Sequence, residues 1–192
     1  MTDRADDDVV LIQRYLEGDV AAFDELMRAH EDRVFGVCMR MMRDREAALD
    51  ATQETFLTVF RKADRYKAEA AFSTWLYRVA VNTCYDHLRR VRRRRTEPMP
   101  ETPEPPDTRS ESDLEAVELR PALEQALRRL SPEFRAVIVL VDMQGLSLEQ
   151  TAEVLDVPMG TVKSRLFRAR RQLAESLGNL APGGEHRRDD VP

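Results

Sequence analysis

The sequence predicts an all-α protein made of two small helical domains joined by a Pro-rich acidic linker. Three observations carry that reading. No segment alternates apolar and polar residues in the manner of a strand, whereas apolar residues recur at steps of three and four through residues 1–95 and again through 114–177. Between them, residues 96–113 lose all helical periodicity, with five Pro from Pro98 to Pro106 interleaved with Glu and Asp. Such a segment buries too little surface to offset its ordering entropy, so it reads as a tether. At ~3.1 Å per residue, an extended form reaches about 55 Å. Residues 178–192 are Gly, Pro and charge with no core pattern and read as a disordered tail.

In chain order, Met1 to Asp8 is short, polar and acidic and is expected to fray. A helix is expected from Val9 to Glu17, closed by Gly18. Asp19 caps a longer one in which Phe23, Leu26, Met27, Val34, Val37, Cys38 and Met41 keep helical spacing. Asp44 opens a third, with Leu49, Thr52, Phe56, Val59 and Phe60 as its buried side. Its other face shows Asp50, Gln53, Glu54 and Leu57 at i, i+3, i+4 and i+7, a solvated stripe on composition alone.

Arg65 to Ala71 reads as a loop, and a long helix starts near Phe72 or Ser73, packing through Phe72, Trp75, Leu76, Val79 and Thr83. Continued to Arg95 it spans about 36 Å at ~1.5 Å per residue. Arg78, Asn82, Tyr85 and Arg89 fall within roughly 60° of arc on it. Cation, amide, aromatic and cation in one line equip a single-strand site, where the ring stacks on bases and the cations follow phosphates. The alternative is an ordinary polar face.

After the linker, Leu114 to Leu130 resumes helical spacing. Ser131-Pro132-Glu133 then starts another helix, Ser as cap and Pro in the first turn, that buries Phe134, Val137, Ile138 and Val141. Gln144-Gly145 ends it. Ser147 and Gln150 form a capping box for a helix beginning at Leu148, which buries Leu148, Ala152 and Leu155. The break Asp156-Val157-Pro158 leads into a last helix that buries Val162, Leu166, Ala169, Leu173 and Leu177. Its opposite side carries Lys163, Arg165, Arg168, Arg170 and Arg171 with no acid among them. Helix, tight turn and basic helix make a helix-turn-helix, whose second member suits a DNA major groove. A basic amphipathic helix is commonly only a solvated face. Phe167 argues otherwise, because it sits about 140° from Val162, off the buried stripe and beside Ser164 and Arg168. There it suits a thymine methyl, with Ser164, Lys163 and Arg168 placed for bases and phosphates.

The net charge of -5 is local in origin. Residues 1–95 carry +1, the linker -5, residues 114–177 zero and the tail -1, while bases gather at Arg89–Arg95 and Lys163–Arg171. Two cationic patches therefore hold phosphates in an acidic protein. Cys38 and Cys84 lack any CxxC or Cys/His spacing and read as core residues. No Gly-rich phosphate loop or nucleophile motif occurs, and His30, Glu31 and Asp32, adjacent on a helix, diverge by about 100° each. No metal, cofactor or catalytic residue is therefore expected. The apolar run Ala136–Val141 is too short to span a bilayer and the acidic N-terminus is no signal peptide, so a cytoplasmic protein without membrane insertion is expected.

Four blocks, Gly18 to Phe23, Asp50 to Phe56, Phe72 to Thr83, and Gly145 to Ala152 continued by Pro158 to Arg170, resemble in order and spacing the bacterial sigma factors of the extracytoplasmic-function branch. The resemblance covers about 20–177. It implies that residues 1–95 form sigma region 2, a helical bundle, and residues 114–177 form sigma region 4, the helix-turn-helix. It implies core RNA polymerase as partner, at its clamp coiled coil and flap. Asp50, Gln53, Glu54 and Leu57 then become a polymerase interface instead of a solvated stripe. Trp75, Arg78, Asn82, Tyr85 and Arg89 would read the melted -10 element, with the loop Arg65–Ala71 shaping a pocket for an extruded base. Thr161, Lys163, Ser164, Arg165, Phe167, Arg168 and Arg171 would bind the -35 element as duplex. Promoter DNA is thus a partner both single-stranded and duplex, and an anti-sigma factor, able to hold the chain at the membrane, is a further expected partner. Glu97, Glu101, Glu104 and Asp107 fit either passage through the polymerase cleft or a plain solubilising tether. A stand-alone helix-turn-helix regulator, the competing reading, leaves the stripes on the third and fourth helices unexplained.

Overall fold

The computed structural model describes residues 3–68, 70–96 and 119–178, and these are all-helical with short connections. The linker and tail expectations, including Glu97, Glu101, Glu104 and Asp107, fall outside the described residues. The front bundle comprises α1 (Asp3–Leu16), α2 (Val20–Met42), α3 (Arg45–Lys62), a short 3-10 turn (Ala63–Arg65) and α4 (Phe72–Thr96). The rear unit comprises α5 (Leu119–Arg129), α6 (Pro132–Ile138), a π segment (Val139–Met143), α7 (Leu148–Leu155) and α8 (Met159–Gly178).

The expected caps are present. Asp19 and Asp44 accept backbone N–H groups of Ala21 at 3.1 Å and Ala47 at 2.7 Å, satisfying first-turn donors of α2 and α3. Arg43 closes α2 in the left-handed region, φ 64°, which turns the chain tightly into Asp44. The front core is Leu26, Val34, Val37, Met41, Val59, Phe72, Leu76 and Val81, with Cys38 and Cys84 buried as free thiols. Phe72 is its centre, edge-on to His30 and Tyr66 at 5.4 and 5.5 Å between ring centroids.

Two expectations are corrected. The N-terminus does not fray up to Asp8: α1 begins at Asp3, and Asp8 is buried with its carboxylate 2.8 Å from the Nε2 of the equally buried His30. A carboxylate there is stable only because the imidazole partners it. On α3, Thr52, Phe56 and Val59 are buried as expected, but Leu49 and Phe60 are exposed. The buried face of α3 runs through Ala48, Ala51, Thr52, Thr55, Phe56 and Val59, a stripe whose first two turns are made of small residues and which leaves Leu49 and Phe60 on either side of it. Phe60 instead packs at the core's edge on half-buried Tyr15 and buried Phe23, with ring centroids 5.0 to 5.3 Å apart.

In the rear unit the Ser147–Gln150 capping box forms in both directions, at 3.1 and 2.9 Å. Asp156, φ 51°, makes the left-handed turn between α7 and α8. α8 buries Val162, Leu166 and Ala169 against Leu127, Leu130, Val137 and Ile138. On α7 the fully buried positions are Thr151 and Val154, while Leu148, Ala152 and Leu155 are half-buried.

The two units are not apart. Ala136, Val139, Leu140 and Val154 of the rear unit belong to the same apolar core as the front bundle. Arg135 is buried and has no carboxylate partner among the described residues; it donates to the carbonyls of Leu127 (3.1 Å) and Leu130 (2.8 Å) and, across the junction, Met41 (2.5 Å). Burial pulls its pKa down to about 10. Those carbonyls lie at the C-terminal ends of α5 and α2, where unsatisfied acceptors and the negative ends of two helix dipoles stabilise a cation. Arg43 adds a second tie to the Arg128 carbonyl at 2.6 Å.

Arg135→Ala takes the guanidinium from the Met41 and Leu130 carbonyls and leaves the Leu127 carbonyl with only the Leu130 N–H at 3.3 Å, and it is expected to lower stability by about 2–3 kcal/mol, the range for hydrogen bonds to charged groups. Ser147→Ala is expected to cost about 1 kcal/mol through loss of the cap. Urea midpoints compared with the parent chain measure both.

Candidate nucleic-acid and polymerase interfaces

The helix-turn-helix presents its reading face as expected. Val162, Leu166 and Ala169 fix α8 from behind, which turns Lys163, Ser164, Phe167, Arg168 and Arg171 outward and leaves Thr161 and Arg165 half-buried. Phe167 is 71% exposed, a large aromatic ring held in water by a helix whose opposite side is locked. The Ser164 hydroxyl donates to the Thr161 carbonyl at 3.0 Å, so it meets a ligand as an acceptor. Arg170 is taken out of the reading face. Asp142 of the π segment grips it with both carboxylate oxygens and raises its pKa further above the usual guanidinium range. Arg171 bonds Glu175 one turn on at 2.9 Å, both side chains being exposed.

On α4 the predicted stripe is divided. Asn82 and Arg89 are exposed, with Arg89 paired to Asp86. Trp75 is half-buried beside Phe72 and Tyr66 at 5.8 and 5.7 Å. The loop in front of α4 is held by Tyr66, whose hydroxyl donates to the Ala70 carbonyl at 2.8 Å. Arg78 and Tyr85, expected to be outward, are half-buried and face the rear unit. Arg78 donates to the Glu153 carbonyl of α7 at 2.7 Å, and its Nε is buried with no hydrogen-bond partner. Burial pushes the Tyr85 phenol up to about 12, Glu133 adding to the effect and Arg165 opposing it. Next to them, the buried Tyr77 hydroxyl donates to Gln144 Oε1 at 3.1 Å.

On α3, Asp50, Gln53 and Leu57 are exposed on one face. Glu54 is half-buried and committed to α4, with His87 Nε2 at 2.6 Å and an Arg90 nitrogen at 3.6 Å. The residues that sequence reasoning missed are these partners, Asp142, Gln144, Glu153, His87 and Arg135. Each is polar and outside any motif, and its partner lies on another helix, so no periodic signal marks it.

A helix-turn-helix with an outward basic and aromatic face, packed on a helical bundle, has the architecture of a nucleic-acid-binding protein. The sequence matches Sigma-70 region 2 over residues 26–95 and Sigma-70, region 4 over residues 120–173. It is 40% identical over 181 residues to the ECF RNA polymerase sigma factor SigM of Mycobacterium tuberculosis, covering 94% of this chain and 90% of that one. It is 34% identical to the RNA polymerase sigma-H factor of Pseudomonas aeruginosa, covering 90% and 95%. In fold, it is similar to CnrH in its complex with the cytosolic domain of CnrY, with TM-score 0.66 and 23% identity over 90% of this chain and 98% of that one. The chain belongs to the ECF RNA polymerase sigma factors. It is thus a DNA-binding regulatory protein that directs promoter-specific transcription. No helix among the described residues is long and apolar enough to cross a membrane.

Arg170 should act on stability and not on base choice. Arg170→Ala and Asp142→Ala, combined in a double-mutant cycle, are expected to couple by about 0.5–1 kcal/mol, because the pair is largely exposed. Equilibrium urea unfolding reads the coupling, and the preference of α8 for duplex sequence stays as in the parent.

Proposed function

We propose that this sigma factor divides promoter recognition between its two faces. α8 binds the -35 element as duplex through Thr161, Lys163, Ser164, Arg165, Phe167, Arg168 and Arg171. α4 captures the non-template strand of the melted -10 element through Trp75, Arg78, Asn82, Tyr85 and Arg89. α3 docks on the clamp coiled coil of core polymerase through Asp50, Gln53, Glu54 and Leu57, and the rear unit meets the flap. The working domains are 1–95 and 114–177, with 96–113 as tether and 178–192 as tail. The observation that carries this reading is Phe167, exposed at 71% among Lys163, Ser164 and Arg168 on a helix locked from behind.

The physical logic supports the division. Strand separation is driven by a site that holds unpaired bases better than paired ones. Stacking contributes roughly 1–3 kcal/mol per base, enough to capture one flipped nucleotide and too little to melt a promoter alone. Polymerase therefore fixes the spacing of two modest DNA sites, which gain avidity together. Titled as sigma factors bound to anti-sigma partners, structures of similar fold support a protein partner of that kind here, such as RpoE of Bartonella quintana with NepR, TM-score 0.64 at 24% identity. Work on DNA supports action in the cytoplasm, with an anti-sigma partner able to hold the chain at the membrane.

Run-off transcription from genomic fragments tests the whole reading, with core polymerase expected to select starts only when the chain is added. Phe167→Ala and Arg168→Ala should each weaken -35 duplex binding by about 1–3 kcal/mol, read by anisotropy across a base-substitution series. Asn82→Ala and Tyr85→Ala should impair promoter opening more than closed-complex formation, measured by permanganate reactivity against gel shift; equal loss in both removes them from the single-strand site.

A further inference from the structure

A buried pair of polar side chains stands behind the aromatic cluster at the entry to α4. Asp8 of α1 and His30 of α2 are both almost fully buried, and the Asp8 carboxylate lies 2.8 Å from His30 Nε2. A hydrogen bond at one ring nitrogen removes the ring's freedom about its last torsion, which is otherwise broad. His30 so fixed meets Phe72 edge-on at 5.4 Å. Phe72 in turn packs on Tyr66 at 5.5 Å and Trp75 at 5.8 Å, and those two rings lie 5.7 Å apart. Burial raises the pKa of the Tyr66 phenol and the Asp8 charge adds to it, so the carboxylate acts at both ends of this relay.

The start of α4 depends on such packing. α2, α3, α6 and α7 each begin at an Asp or Ser whose side chain accepts a first-turn N–H. Ala71, which precedes α4 and accepts the Thr74 and Trp75 N–H groups through its carbonyl, has no side-chain acceptor to offer. The entry is therefore set by Phe72, 1% exposed, with Trp75 three residues on and on the same side. Stability alone does not account for the polar pair behind it, because apolar side chains in place of a buried ion pair are often neutral or stabilising. What the pair adds is direction.

We propose that Asp8 and His30 are positioning residues for base capture, fixing Tyr66 and Trp75 through Phe72 and thereby setting how sharply the -10 site discriminates among unpaired bases. The inference rests on the strand-capture reading of α4. Asp8 lies before residues 26–95, the stretch matched to Sigma-70 region 2, so α1 contributes to base choice from outside that stretch.

The test uses holoenzyme assembled with the full chain. Asp8→Val/His30→Leu replaces the pair with apolar side chains, whereas Asp8→Asn keeps an acceptor for His30 without the charge. Permanganate reactivity gives opening rates on a promoter varied one base at a time through the -10 element. Acrylamide quenching of Trp75, the chain's only tryptophan, reads its surroundings in the free chain. The apolar pair is expected to narrow the ratio between best and worst base by about tenfold, within the range that one base carries, and to change the quenching. Its urea midpoint and -35 duplex binding stay near those of the parent, and Asp8→Asn preserves both readouts. An apolar pair that discriminates as the parent does, or slows opening equally on every template, overturns the proposal, as does an Asp8→Asn variant that loses as much. His30→Gln keeps a donor for Asp8 but removes the ring against Phe72; it is expected to narrow the ratio in the same direction and decides the matter if the apolar pair fails to fold. Holoenzyme with Trp75→Ala separates the two levels. Unchanged base preference there overturns the strand reading at Trp75, whereas a flattened preference there together with an apolar pair like the parent overturns only the positioning role.

Discussion

The junction depends on a buried cation that, among the described residues, has carbonyls and no carboxylate as its partners. Arg135 sits between the C-terminal ends of α5 and α2 and donates to three carbonyls there, of which that of Leu127 also accepts the Leu130 N–H. A carboxylate partner would require a second buried charge, whereas helix ends supply negative potential at no such cost. One side chain therefore terminates two helices and joins two domains. The position of α6 against α2 follows, and with it the π segment. That segment carries Asp142 toward α8 and Gln144 toward α4, so both faces of the rear unit are referenced to the same turn.

Local signals were legible in the sequence and cross-helix ones were not. The Asp19 and Asp44 caps, the Ser147–Gln150 box and the buried stripe of α8 each depend on residues within one helical turn or one face, and each stands where spacing placed it. Exposure of Phe167 was legible for the same reason, being fixed by angle alone. Leu49 and Phe60 were misplaced because hydrophobicity does not reveal that Ala48, Ala51 and Thr55 form part of the buried side of α3. Asp8, Arg135 and Glu54 look like surface charges in sequence. Their burial rests on His30, on two helix ends and on His87, all distant along the chain.

The charge distribution has a structural counterpart. Front and rear units are nearly neutral in sum, and most of the negative net charge lies in residues 96–113. Within each unit the bases are nonetheless unequal in availability. Arg170 is bound by Asp142, Arg78 by α7 and Arg90 by Glu54, whereas Lys163 and Arg168 are turned to solvent. Counting cations on a helix thus overstates its reading surface. The useful quantity is how many remain after the fold has taken its own.

α4 shows why that distinction governs function. It forms the wall of the front core through Phe72, Leu76, Ala80, Val81 and Cys84, it meets α3 through His87 and Arg90, and it meets the rear unit through Tyr77, Arg78 and Tyr85. With about 3.6 residues per turn, three neighbours leave little circumference. Asn82 and Asp86 remain outward within the enclosed part, and from Arg89 to Arg94 the helix is exposed on every side. A helix so enclosed shows only part of its line of cation, amide, ring and cation to solvent, Asn82 and Arg89 lying outward and Arg78 and Tyr85 half-buried. The α3 contact is part of the bundle core, and the rear contact extends that core through Val139, Leu140 and Val154 beside the polar ties of Tyr77 and Arg78, so the circumference of α4 is divided by packing on both sides.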